Sequence, residues 1–248
     1  MNKTEWFEDE DFWVTYAPLM FDENAWAEVP SDVDNILRLT GIAPGARVLD
    51  LCCGVGRYSL ELALRGFDVT GVDITKPYLD AAKESATALN AKANFIQADV
   101  REFSRPEHFD LCLNLFTSFG YFETKAMDLH FLSLCAQNLV PGGRLFLETI
   151  GKEVAVRDFV EFEEFERSGW NVRTEYRVVG PWEGLENRWI LRAGSEYKDY
   201  SFVLRLYAAT EMIEALKTAG FSDVSIFGGY DGRPYDNRAQ SLVALARK

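Results

Sequence analysis

Histidine is nearly absent: His108 and His130 are the only two in 248 residues. So few imidazoles leave little for a histidine metal cluster or a His-driven base to draw on. The cysteines, Cys52, Cys53, Cys112 and Cys135, form no C-x-x-C pair. Zinc spacing is therefore missing, and a Cys-His nucleophile is disfavoured. Positive charge is also scarce. Lys and Arg number 26 against 39 Asp and Glu, a formal net charge of −13. The densest basic stretch, Arg167 to Arg192, is interleaved with acids, which disfavours nucleic acid as a partner. No apolar run approaches the length of a membrane span. The start, "MNKTEWFEDEDFW", is acidic and aromatic and lacks the basic and apolar regions of a secretory signal. The expectation is a cytoplasmic protein with no metal and no membrane partner, as a monomer or homodimer.

What is present is an ordinary globular composition, 48% hydrophobic and 26% charged. The length suits one large domain, or one domain with a small lobe, and needs no disulfides. Residues 1–30 hold Trp6, Phe7, Phe12, Trp13, Tyr16, Phe21 and Trp26 amid acids. That is too aromatic for a disordered tail, and short helices that pack on the domain or cover a site are expected. Ser31 reads as an N-cap, with Asp34 as a capping-box variant. Ile36, Leu37 and Leu39 follow at helical spacing, and Gly41 closes the helix.

Strands and helices then alternate. Strands are expected at 47–51, 68–72, 94–97, 109–116 and 144–150. Helices are expected at 57–65, at 76–89 with Thr75 as N-cap, and at 124–138. Short apolar strands of this kind suit a parallel sheet with helices on both faces. After Gly151 the pattern changes. "NVRTEYRVV", "ENRWILRA" and "YSFVLRLY" alternate or are aromatic, with turn signals between them, as antiparallel strands do. A helix at 210–219 and strands at 223–227 and 241–246 close the chain. Three regions follow: a helical lid and first helix at 1–44, a core at 45–150 and 207–248, and an antiparallel β insertion at 151–206 that would cover a substrate.

The stretch "VLDLCCGVGRYSLELALRGFDVTGVD", residues 48–73, reads as strand, glycine turn, helix, strand. Ligands in open parallel sheets sit at the carboxyl ends of the strands, at the switch in strand order. The turn fits a dinucleotide poorly, because Ser59 stands where G-x-G-x-x-G needs its third glycine. Asp50 precedes the glycines, Asp73 ends the second strand, and Asp99 follows the third. Three acids make a poor bed for a pyrophosphate and a good one for a cationic cofactor with a ribose and an amino group.

"VLDLCCGVGRYSLELA" resembles the first motif of class I S-adenosylmethionine-dependent methyltransferases, usually written VLDxGCGxG. "VTGVDIT", "FIQADV", "FDLCLNLFTSFGYF" and "LVPGGRLFLETI" look like the next four, in order and at normal spacing. "NLFTSFGYF" and "YDGRPYD" resemble a broad branch of small, mostly bacterial and archaeal methyltransferases, and this resemblance leaves that branch's substrates open. The resemblance implies a doubly wound, seven-stranded, mostly parallel sheet whose last strand is antiparallel. It implies S-adenosyl-L-methionine as cofactor and S-adenosyl-L-homocysteine as product. By position, Asp50 would orient the turn or meet the cofactor's amino group through water, and Cys52, Gly54 and Gly56 would line the methionine portion. Asp73 would accept the ribose hydroxyls, and Ile74 would pack on adenine. Asp99, with the Val100 amide, would meet the adenine amino group. Asn114 and Leu115 would flank the amino acid and sulfonium. Tyr16 and Arg57 complete the cofactor set, Arg57 as a carboxylate contact or a surface charge. Cys52 departs from the family by replacing a glycine, and neither Cys52 nor Cys53 reads as a nucleophile.

The expected reaction is in-line methyl transfer to an N, O or C nucleophile of a small molecule, with no residue singled out as catalytic. Candidate substrate contacts are Phe116, Ser118, Tyr121, Glu148, Arg205, Tyr207, Tyr230, Asp231 and Tyr235. The rivals are an RNA or protein methyltransferase and a non-catalytic S-adenosylmethionine-binding protein. An NAD(P) enzyme is disfavoured by the missing third glycine.

Overall fold

The computed structural model describes residues 5–248; the expectation for the first four residues lies outside them. A 3-10 turn at Trp6–Glu8 leads to α1 (Glu10–Met20), α2 (Glu23–Ala27) and α3 (Val29–Thr40). The core follows as β1 (Arg47–Leu51), α4 (Arg57–Leu64), β2 (Asp68–Asp73), α5 (Lys76–Leu89), β3 (Ala93–Gln97), β4 (Phe109–Asn114), α6 (Lys125–Asn138) and β5 (Leu139–Thr149). The insertion holds α7 (Lys152–Arg157), β6 (Phe162–Arg167), β7 (Trp170–Val179), β8 (Gly184–Ala193) and β9 (Glu196–Arg205). The chain ends with α8 (Ala209–Thr218), β10 (Asp223–Phe227) and β11 (Leu242–Arg247).

The main sheet has seven strands in the order β10-β11-β5-β4-β1-β2-β3. β1 pairs in parallel with both β2 and β4, whereas β11 runs antiparallel to β5 and β10. Chain order therefore reverses beside β1, and the crevice above β1 and β4 is the switch point where ligands bind. Both faces are covered. Val48 faces α3 and α4 with Ile36 and Leu62, while Leu49 and Leu51 face α6 and α8 with Phe131 and Leu216. Burial on both faces explains why these strands are apolar without alternation.

The insertion is a separate antiparallel sheet in the order β6-β7-β8-β9. Its inner face buries Val172, Leu191 and Phe202 against Phe12, Tyr16 and Leu19 of α1. The amino-terminal helix and the insertion thus share one small core. The outer face carries charges such as the Arg188–Asp199 pair at 2.7 Å. Among the described residues no helix is long and apolar enough to cross a membrane.

Several boundaries differ from the sequence reading. α3 begins at Val29, so Ser31 lies inside its first turn, and Pro30 occupies the start where proline is tolerated. Thr75 holds the N-cap position of α5, but its side chain makes no capping bond. β4 ends at Asn114 because Phe116 and Thr117 take left-handed backbone, φ +56° and +54°. β5 starts already at Leu139 and carries Pro141 to Gly143 within it. α7 and β6 were not anticipated.

Candidate active site

β1 delivers the chain into a turn that needs left-handed backbone three times: Cys52 at φ +61°, Gly54 at +56° and Gly56 at +79°. A side chain at such a position costs about 1–2 kcal/mol. Cys52 therefore stands in place of the family's usual glycine at an energetic cost. Gly56 is needed for packing too, since a Cβ there would stand 3.0 Å from Ala82 and the Phe95 ring. It holds α4 against α5 and does not line the cavity, contrary to expectation.

Three carboxylates face this turn from successive strands. Asp50 is buried and accepts a 2.6 Å bond from Ser59 Oγ. Ser59, the residue that breaks the dinucleotide pattern, is therefore what holds Asp50. Burial pushes the Asp50 acid up to about 6, against the Ser59 bond that lowers it. Asp73 accepts from the Gly54 and Thr75 amides, each at 2.8 Å, and so ties β2 to the turn. Burial raises its pKa while these amides pull it down. Asp99 is gripped by Arg101, whose guanidinium also reaches Glu8 at 2.9 Å and lies over the Phe7 ring at 5.0 Å.

Arg57 is 5% exposed, not a surface charge. It donates to the Ala25 carbonyl and lies over the Phe116 ring at 4.9 Å and the Phe21 ring at 5.2 Å. Cys52 and Cys53 both border the space, and burial with the Asp50 and Asp73 charges raises both thiols well above their ordinary value. Such thiols stay protonated and are poor nucleophiles.

These groups border a cavity of about 190 Å³. Of the expected cofactor set, Asp50, Cys52, Gly54, Arg57, Asp73, Ile74, Asp99, Val100 and Leu115 line it. Asn114 does not: it is buried, donates to the Leu51 carbonyl at 3.2 Å, and leaves Oδ1 without a partner. Tyr16 is also displaced, stacked on Trp189 at 4.0 Å.

Of the expected substrate set, Phe116, Ser118 and Tyr121 line the cavity. The other six lie elsewhere for clear reasons. Glu148 sits behind the lip and accepts from the Thr117 amide at 3.1 Å. Arg205 and Tyr207 both bind the fully buried Asp128, at 2.6 and 2.8 Å. Tyr230 packs between Tyr58 and Phe146. Asp231 pairs with Arg233 at 2.7 Å, and Tyr235 donates to Glu153 at 2.8 Å.

Lining residues that the sequence reading did not select are mostly aromatic: Trp6, Trp13, Tyr58, Tyr78, Trp189 and Phe202. The aromatic start pointed toward a cover. Trp189 and Phe202 gave no signal of their own, because the fold of the insertion alone decides which rings face inward.

A family model described as a methyltransferase domain matches residues 48–143. That segment, less than half of the chain, is thus similar to a methyltransferase domain. Among solved structures, the fold resembles that of an S-adenosylmethionine-dependent methyltransferase from Clostridium acetobutylicum, with a TM-score of 0.77 at 15% identity, covering 96% of this chain and 97% of that one. An S-adenosylmethionine-bound amino pentose methyltransferase from Micromonospora echinaspora superimposes with a TM-score of 0.67 at 22% identity, over 100% of both chains. In sequence, it is 34% identical over 109 residues to a ubiquinone biosynthesis O-methyltransferase of Marinobacter nauticus, covering 44% of this chain and 45% of that relative. The chain spans less than half the length of that relative.

Proposed function

We propose that this protein moves a methyl group from S-adenosylmethionine to a small molecule. The observation that carries the reading is the convergence of three carboxylates and one buried arginine on a single cavity at the switch point. The donor set fits this cofactor. Asp73 offers a carboxylate already fixed by two amides, suited to a pair of ribose hydroxyls. Asp99 and the Val100 amide suit the adenine edge. Arg57 has a carbonyl, not a carboxylate, as its hydrogen-bond partner and suits the carboxylate of the amino-acid end. Asp50 acts through Ser59 and the turn.

When bound, S-adenosylmethionine supplies an electrophilic methyl group: its C–S bond breaks, the pair goes to sulfur, and the acceptor's lone pair forms the new bond. The protein then has to place the acceptor, exclude water and shape the approach. The 1–44 segment and the 151–206 insertion serve as the cover. Their shared core over the cavity supports that assignment. Four free cysteines support a cytoplasmic setting.

The test is calorimetry with S-adenosylhomocysteine. Binding is expected, with affinity reduced about 100-fold in Asp73→Ala, since two charge-assisted hydrogen bonds are lost. Unchanged affinity in that variant would sink the ribose assignment, and no binding to the parent protein would sink the whole reading.

A further inference from the structure

The two halves of the cavity differ in chemistry. Its charged groups, Asp50, Arg57, Asp73 and Asp99, all come from the glycine turn, the start of α4 and the ends of the early strands. The opposite wall is built by Trp6 and Phe12 from the amino-terminal segment, Tyr121 from the loop after β4, and Trp189 and Phe202 from the small sheet. No lysine, arginine, histidine, aspartate or glutamate lines the cavity on that side among the described residues.

These rings hold one another in fixed orientations. Trp6 stacks on Phe202 at 4.3 Å and meets Tyr121 edge-on at 5.2 Å. Trp189 is pinned by Tyr16 at 4.0 Å and meets Phe202 edge-on at 4.9 Å. Tyr121 and Ser118 bring hydroxyls, but the Ser118 hydroxyl already donates to the Leu115 carbonyl at 2.8 Å. Burial and the Glu148 charge raise the Tyr121 phenol above its ordinary value, so it remains a neutral donor and cannot serve as a base near neutral pH.

Resting on the methyl-transfer reading above, we infer that the acceptor is a planar aromatic compound carrying its nucleophile as a ring substituent. The same wall disfavours a sugar. Its hydroxyls would lose water and find almost no partners there, and unpaired buried polar groups are costly. An aromatic face loses little and gains stacking contacts. The wall supplies no base, so the nucleophile must present a free lone pair near neutral pH. An aryl amine or an acidified phenol does so, and any proton it loses passes to solvent after the methyl is transferred.

The experiment uses the full chain saturated with S-adenosylhomocysteine and two probes, 1-naphthol and glucosamine, titrated by calorimetry. 1-Naphthol is expected to bind and glucosamine to give no heat. Trp189→Leu and Trp6→Leu, on separate elements, should each weaken 1-naphthol about tenfold, with S-adenosylhomocysteine affinity held within about threefold as the control for folding. Glucosamine binding in preference to 1-naphthol would overturn the inference, as would no 1-naphthol binding or naphthol affinity indifferent to both substitutions. Failure of the parent protein to bind S-adenosylhomocysteine would instead remove the methyl-transfer reading on which the inference stands.

Discussion

The main sheet and the small sheet build the two halves of one cavity by opposite means. In the main sheet, backbone geometry places each functional group: a strand ends, a carboxylate follows, and the neighbouring strand repeats the arrangement. In the small sheet, side chains from three distant segments meet, and Phe12 of α1 packs into the same cluster. A polar site can therefore be specified locally, whereas an apolar one is specified by the whole fold.

The sharpest way to break this contrast is to remove a group from each half. Asp73→Ala should cost about 100-fold in S-adenosylhomocysteine affinity, while Trp189→Leu leaves it within about threefold. Equal losses in calorimetry would show that the halves do not divide the ligands.

Buried charge in the main sheet should also carry a stability cost. The folded Asp50 acid stands near 6, above its ordinary value. Its favourable, protonated contribution is thus fully present below the unfolded pKa, is lost as pH rises through about 6, and is absent at pH 7. Asp50→Asn should stabilise the fold by about 2 kcal/mol at pH 7, flatten denaturation midpoints between pH 4 and 6, and weaken the glycine turn's ligand binding. A midpoint that falls at pH 7 would show that the charge is compensated.

Glu148 links the halves from behind. Its carboxylate holds the Thr117 amide in left-handed backbone at the cavity lip, where the Phe116 ring meets Arg57. Glu148→Leu should lower S-adenosylhomocysteine affinity about tenfold, and Thr117→Gly in that background should restore most of it, because glycine adopts this conformation unaided. No recovery would mean Glu148 acts in some other way. Two smaller effects complete the series. Cys52→Gly should raise stability by up to about 1 kcal/mol by relieving a left-handed side chain. Arg188→Gln on the outer face of the small sheet should change stability by about 0.5 kcal/mol or less, as exposed pairs do.

The same division governs what could be read from sequence. The β1 turn, Asp50, Asp73, Asp99 and the strand-helix alternation were legible because spacing along the chain fixes them. β6 was not, since all six of its residues are exposed and "FEEFER" carries no buried stripe. The left-handed Phe116 and Thr117 were hidden because neither is glycine. Arg205, Tyr207 and Tyr235 were assigned to the substrate although each meets a carboxylate elsewhere. Such pairings join residues 77 to 82 positions apart and leave no mark on local pattern.

Arg101 has a consequence for timing. One guanidinium grips both Asp99, the proposed adenine acid, and Glu8 in the first turn of the chain. An incoming adenine must therefore negotiate with a residue that is also fastening the cover. Residence time at the adenine end becomes a readout of whether the amino-terminal segment is seated, and raising ionic strength, which loosens partly exposed ion pairs, should shorten it.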